Sequence, residues 1–261
     1  MKQFNAEKTK KELVTFLSTS FKKAGFSDAI IGVSGGVDSA TATALATLAF
    51  GRDHVFPVLL PCGTLNKNAS GDASSLLDEL NIPIQNRTII DIHKIVDDYS
   101  SIDPSIDKLR RGNIMARVRM TLLFDQAKKR HALVIGTENR TEHLLGYYTR
   151  FGDEASDIEP LRHLYKSEVY MLAEHLGIPN SIIKKAPTAG LWEGQTDEVE
   201  FGFSYSDADT ILSLATEEHV STEKIASQWA EKGFNPNIVY RVIKHMEQNA
   251  FKHHLPMTKA K

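Results

Sequence analysis

Thiol chemistry is almost absent from this chain: Cys62 is the one cysteine in 261 residues. No internal disulfide can form, which excludes a cross-linked secreted scaffold and fits a reducing compartment. Long apolar runs are missing too. None approaches the roughly 18 residues of a membrane span, and the opening Met1-Lys2-Gln3-Phe4-Asn5-Ala6-Glu7-Lys8 leads into no apolar signal core. Charge of one sign is also lacking. Lys and Arg number 31 against 33 Asp and Glu, a formal charge of −2, so no global basic field points to nucleic acid and a polyanionic ligand needs a local site. The 10 histidines form no His-Glu-X-X-His, and one cysteine gives no zinc-finger spacing. The expectation is a soluble cytoplasmic protein with no nucleic-acid and no membrane partner. At this length the core needs no covalent staple.

What is present is alternation. Leu13, Phe16, Leu17 and Phe21 recur at helical spacing within 8–24. Ala29-Ile30-Ile31-Gly32-Val33 reads as a buried strand running into a tight turn at Ser34-Gly35-Gly36, and 38–50 as a helix packed on a sheet. Val55 to Leu60 is a second strand, which Pro57 weakens or places near an end. Residues 66–80 have a helical pattern, 84–90 a strand-like one, 111–129 a strongly helical one, and Leu133-Val134-Ile135-Gly136 is a last buried strand. Beyond 137 only helical patterns return, at 166–176, 206–217, 222–231 and 236–250. This order predicts the α/β class: a single domain over 1–261, with a parallel sheet, helices on both faces, and ligands at the carboxyl ends of the strands. Three stretches, 61–74, 98–108 and 185–205, look irregular, and loops of that length are usually functional or mobile.

The strongest chemical signal is Ile30-Ile31-Gly32-Val33-Ser34-Gly35-Gly36-Val37-Asp38-Ser39-Ala40. Two glycines after a strand let backbone N–H groups face an anion, and the following helix N-terminus adds donors and a favourable dipole. Ser34 and Ser39 add hydroxyls. There is no Gly-Lys-Ser/Thr, so this is not a Walker loop. Asp38 beside a phosphate would be repulsive unless a divalent cation lay between them, which suggests Mg²⁺. The plainer alternative, a capping aspartate after a glycine turn, is outweighed by strand, helix and both serines together.

Ser34-Gly35-Gly36-Val37-Asp38-Ser39 resembles the pyrophosphate loop of the N-type ATP pyrophosphatases, which cleave ATP to AMP and pyrophosphate. The resemblance implies a Rossmann-like, adenine nucleotide alpha hydrolase-like fold. Gly136-Thr137-Glu138-Asn139-Arg140-Thr141-Glu142, Gly146-Tyr147-Tyr148-Thr149-Arg150-Phe151-Gly152-Asp153, Asp157-Ile158-Glu159-Pro160-Leu161, Lys184-Lys185-Ala186-Pro187-Thr188-Ala189 and Gly202-Phe203-Ser204-Tyr205 are similar to segments of the ammonia-dependent NAD synthetases. The resemblance covers about 31–205 and, more weakly, Phe251-Lys252. It implies an ATP site at Gly32, Val33, Ser34, Gly35, Gly36, Val37, Asp38, Ser39, Thr137, Lys166 and Thr188. It further implies Mg²⁺ on Asp38 and Glu142, and deamido-NAD on Arg117, Arg150, Asp157 and Lys252. The activity it implies is amidation of deamido-NAD through an adenylate, with ATP and ammonia as co-substrates, by a homodimer that binds the dinucleotide near the subunit interface.

Several of these residues make sense on their own terms. Arg117 lies off the edge of the apolar stripe Ile114, Met115, Val118 and Leu122, in reach of an anion, although most such arginines sit on a solvated face. Lys166 opens a helix, an unfavourable place for a cation unless it meets an anion. Asp157 is a candidate catalytic base: ammonium has no lone pair, and a nearby carboxylate can take its proton. Cys62 lacks a glutaminase setting, so free ammonia is the expected nitrogen source. Trp192 fits either a core anchor or a lid aromatic, and His253-His254 a surface pair. Departures from the relatives are Arg150 in place of lysine, Gly190 in place of aspartate, and His253-His254 in place of a more basic pair. Competing readings are a non-catalytic adenine-nucleotide sensor and a tRNA-thiolating pyrophosphatase. The latter calls for a basic surface and reactive cysteines that the sequence lacks.

Overall fold

The computed structural model describes residues 4–65 and 67–254. Its sheet consists of β1 (Asp28–Gly32), β2 (Val55–Leu59), β3 (Thr88–Ile89) and β4 (Ala132–Ile135), in the order β3-β2-β1-β4 with every pair parallel. Ala29, Ile30 and Ile31 of the central strand are wholly buried, which explains their unbroken apolar run: a parallel strand covered on both faces has no solvent side to alternate with.

Successive side chains of β1 enter different cores. Ala29 and Ile31 pack with Leu17 and Phe21 of α1 (Ala6–Ala24) and Leu45 of α2 (Val37–Phe50). Ile30 faces the opposite layer, with Val96 of a helix over His93–Ser100 and Met115 and Ala127 of the long helix Lys108–Arg130. In chain order these layers comprise α1, α2, α3 (Lys67–Glu79), α4 (His93–Ser100) and α5 (Lys108–Arg130). The chain continues with α6 (Arg140–Leu145), α7 (Lys166–His175), α8 (Asn180–Ile183), α9 (Asp197–Phe201), α10 (Tyr205–Thr216), α11 (Thr222–Glu231) and α12 (Asn237–Asn249). A third core, around Leu145, Phe201, Leu212, Trp229 and Val242, holds the carboxyl-terminal helices together.

Pro57 sits inside β2, paired with Ile31, rather than at an end. Val58 accepts from Val33 on the β1 side and Leu59 from Ile90 on the β3 side. By alternation Pro57 faces the β3 side, and pairing with β3 begins only at Val58, so no ladder bond is lost there. Two expectations need correction. The stretch 61–74 becomes α3 from Lys67 onward, while 98–108 is irregular over 101–107, between α4 and α5. The expected strand over 84–90 shortens to a 3₁₀ turn at Ile84–Asn86 followed by the two residues of β3.

Candidate active site

The phosphate loop is built by β1 ending at Gly32 and α2 starting at Val37. Gly36 at the N-cap offers no side-chain cap, which leaves the first N–H groups of α2 open to an anion. Ser39 Oγ accepts from Ser34 N at 3.2 Å and donates to Gly36 O at 3.0 Å, and Ser34 Oγ accepts from Gly36 N at 3.3 Å. Gly35 has φ 79°, and a Cβ there would lie 2.2 Å from Ala69 O. Only glycine allows both that backbone and the close seat on α3.

Opposite the loop, β4 runs into α6. Asn139 caps α6 in a reciprocal box with Glu142, and its Nδ2 donates to Asp38 Oδ1 at 2.8 Å. Lys166, the first residue of α7, lies between two carboxylates: Nζ is 2.6 Å from Asp38 Oδ2 and 2.9 Å from Glu142 Oε1, with the side chain only 3% exposed. Burial opposes charge on Lys166, but Asp38 and then Glu142 outweigh it and raise its pKa. Burial pushes Glu142 up to about 8, against the pull of Lys166 and with Asp38 adding to the rise. The start of α7 is fixed from behind by a buried network. Thr141 donates to Asp209, which also accepts from Ser167 N, and Thr141 Oγ1 accepts from Lys166 N. The side chain that sequence reasoning assigned to ATP therefore also holds together the two assigned to the metal.

The loop, Glu142 and Lys166 line one cavity of about 980 Å³, at the large end of the range for small-ligand sites. It opens at the carboxyl ends of the strands and includes Gly32 to Ser39, Thr137, Glu142, Lys166, Thr188 and Lys252. Lys252 Nζ donates to Gly146 O at 2.6 Å and Tyr148 O at 3.1 Å, and burial lowers its pKa. Three predicted residues are not among its walls. Arg117 is exposed and donates to Arg150 O at 3.3 Å, while Arg150 donates to His254 O. Asp157 is exposed at the edge of β4, where Oδ2 accepts from Val134 N at 2.8 Å. Of the surface pair expected at His253-His254, His254 is exposed, while His253 is half-buried and stacks on His143, ring centroids 4.3 Å apart.

Residues 185–205 enclose the cavity rather than run free. Asp197, 3% exposed, accepts from Ala189 N and Tyr205 OH at 2.9 Å and from Tyr147 OH at 3.1 Å; burial raises its pKa. Trp192 lines the cavity. Its neighbour Leu191 packs on Gly112 of α5, where a Cβ would lie 2.8 Å from Leu191 Cδ1. Gly190, at φ 63°, holds a left-handed conformation that favours glycine. Beneath the floor of the cavity Glu159 packs against Gly136, and a Cβ at Gly136 would lie 1.9 Å from its Oε1. Burial drives the Glu159 carboxyl up to about 8.

Sequence reasoning missed Arg119, Lys185 and the anchoring role of Asp197. Arg119 Nε donates to Leu60 O at 3.2 Å, and the residue lines the cavity that Arg117, two positions earlier, faces away from. Helical phase, about 100° per residue, was the available signal. The profile of the NAD synthase family matches residues 9–256. The chain belongs to that family. It is 40% identical over 253 residues to an NH(3)-dependent NAD(+) synthetase of Fusobacterium nucleatum, covering 97% of this chain and 95% of that one. It is 43% identical to the Pyrococcus furiosus protein of the same name, covering 98% and 96%. Among solved structures it is similar to an NMN synthetase from Francisella tularensis, with TM-score 0.85, 32% identity and coverage of 98% and 99%. An NH3-dependent NAD synthetase from Campylobacter jejuni gives TM-score 0.80 and 30% identity, covering 98% and 100%. These likenesses agree with the expected α/β fold class, and no helix among the described residues is long and apolar enough to cross a membrane.

Proposed function

We propose that this NAD synthase joins ammonia to the nicotinate carboxylate of deamido-NAD at the expense of ATP, by way of an adenylate. A carboxylate oxygen attacks the α-phosphorus, the bond to the β-phosphate oxygen breaks, and pyrophosphate leaves with the electron pair. Ammonia then attacks the acyl carbon, AMP leaves, and the nitrogen sheds a proton. The carrying observation is an uncapped glycine loop facing the Asp38–Lys166–Glu142 cluster across one cavity. Such a site contributes mainly positioning and fixed charge: the loop holds the phosphates, and Thr137, Thr188 and Lys166 lie around them.

Magnesium fits this site. Asp38 and Glu142 converge closely enough to share one ammonium, and Mg²⁺ takes one or two carboxylates together with phosphate oxygens. No group of three or more potential ligands is found among the described residues, which suits a metal that arrives with ATP. When bound, it would neutralise phosphate charge beside Asp38 and Glu142.

For the dinucleotide we infer contacts at Lys252 on the cavity wall and at Arg117, Arg150 and Asp157 on the outer surface. Arg117 donates to Arg150 O there, and a homodimer completing that part of the site belongs to the same reading. Asp157 enters as a binding residue and not as the base. A cytoplasmic location belongs to the same reading. The likeness to the Francisella NMN synthetase supports a second reading, with the mononucleotide acid as acceptor. Mass spectrometry after incubation with ATP, Mg²⁺, ammonium and either acid tests both. AMP, pyrophosphate and NAD⁺ are expected with deamido-NAD; ADP and orthophosphate would sink the assignment, and turnover of the mononucleotide alone would select the second reading.

A further inference from the structure

Pyrophosphate departs with several negative charges, yet the loop that would hold it offers only N–H and hydroxyl donors. Among the described residues the cavity is lined by the cations Arg119, Lys166, Lys185 and Lys252. Lys166 already lies between two carboxylates, so that cluster brings a formal −1 to the phosphates. Lys252 is engaged by the carbonyls of Gly146 and Tyr148, and Arg119 by that of Leu60. Lys185 differs. It lies just past Lys184, the C-cap of α8; its Nζ is 3.5 Å from Gly35 O, and among the described residues its carboxylate partner is Asp72 of α3.

We propose that Lys185 is the cation that meets the leaving pyrophosphate, and that Asp72 holds it beside the loop beforehand; this rests on the adenylating reading above. The setting is built for such a task. Gly35 is seated on Ala69, one helical turn before Asp72, so a single helix both braces the loop and carries the partner of the lysine. Lysine has a flexible four-carbon stem and a compact charge. In the structure Nζ already lies between Asp72 and Gly35 O, beside the loop. Negative charge gathers on the departing oxygen as the bond to the α-phosphorus breaks, and a cation already in place there stabilises it without reorganisation. Partial burial strengthens the effect, since Lys185 and Asp72 are 29% and 21% exposed.

The test is direct binding of inorganic pyrophosphate, followed by calorimetry, with AMP as the control ligand. Lys185→Met should weaken pyrophosphate by about ten- to hundred-fold, the range for a hydrogen bond to a charged group, and leave AMP nearly unchanged. Lys185→Arg should recover most of the loss. The methionine variant also leaves Asp72 unpaired near the phosphates, so Lys185→Met with Asp72→Asn is needed, and it should stay weak. Wild-type pyrophosphate affinity in Lys185→Met would overturn the proposal. So would equal loss for pyrophosphate and AMP, or full recovery in the double variant. Failure of the wild-type protein to form AMP and pyrophosphate from ATP would instead refute the adenylating reading.

Discussion

Asn139 Nδ2 donates to Asp38 Oδ1 at 2.8 Å, across 101 residues of chain. One amide thereby holds the turn after β4 against the phosphate loop, while its own oxygen caps α6 through Glu142 N at 3.0 Å. The two tasks separate by mutation. Asn139→Ala loses both and should destabilise the protein by about 1–2 kcal/mol with a large fall in kcat/KM for ATP. Asn139→Asp keeps a capping oxygen but sets a second carboxylate against Asp38, so its melting temperature should fall less than its activity. Equal stability losses in the two variants would contradict this division.

Gly112 should behave as a functional glycine rather than a structural one. Alanine favours a helix over glycine by up to about 1 kcal/mol, so Gly112→Ala ought not to lower the stability of α5 itself. The new methyl instead meets Leu191 and shifts the segment that carries Thr188 and Trp192. A roughly ten- to hundred-fold loss of kcat/KM for ATP is expected, the scale of small misplacements, at unchanged or higher melting temperature. Wild-type kinetics would show that Leu191 repacks freely.

Glu159 carries a pH signature. Burial, the leading cause, raises its pKa to about 8, with Ser156 and Arg162 opposing and Glu138 adding. The native state thus keeps a proton that the unfolded chain, with an ordinary glutamate near 4.5, releases. The stabilisation is complete below about 4.5 and is lost as pH rises toward 8. Glu159→Gln cannot ionise, so the stability difference, variant minus wild type, should grow between pH 5 and pH 8.5. Urea midpoints across that range measure it, and a constant difference would place the native pKa near its ordinary value.

Asp157→Asn preserves an acceptor for Val134 N and removes only the charge. A binding role predicts a KM for deamido-NAD raised about tenfold, the scale of one charge-assisted contact. The pH profile of the amidation step should keep its shape. Rapid-quench kinetics would reveal the opposite case: a normal pyrophosphate burst with NAD⁺ formation slowed most at low pH would restore Asp157 as the base.

How far the sequence could be read follows the range of the interactions. The loop from Ile30 to Ala40 was legible because each part of it, strand, glycines and helix start, lies within a few residues of the next. The short helices α4 and α6 were missed because eight and six residues give too little periodicity to stand out. Lys166 and Glu142 were picked out singly, but nothing local told that one ammonium joins Asp38 to Glu142. Lys185 was passed over for the same reason: Asp72 lies 113 positions away, and only the fold makes them neighbours. The anchoring role of Asp197 depends on the hydroxyls of Tyr147 and Tyr205, which the fold brings to it.

Pro57 also keeps an unpaired polar group out of the interior. It is buried inside β2, on the side where Asn86 Nδ2 reaches Val55 O at 3.4 Å and where β3 pairs only from Val58 onward. An ordinary residue there would bury an N–H with no strand to receive it, and Pro57 has none. Pro57→Val should therefore lower the melting temperature, by the equivalent of about 1–3 kcal/mol for a buried donor left unsatisfied, although valine is the better strand former.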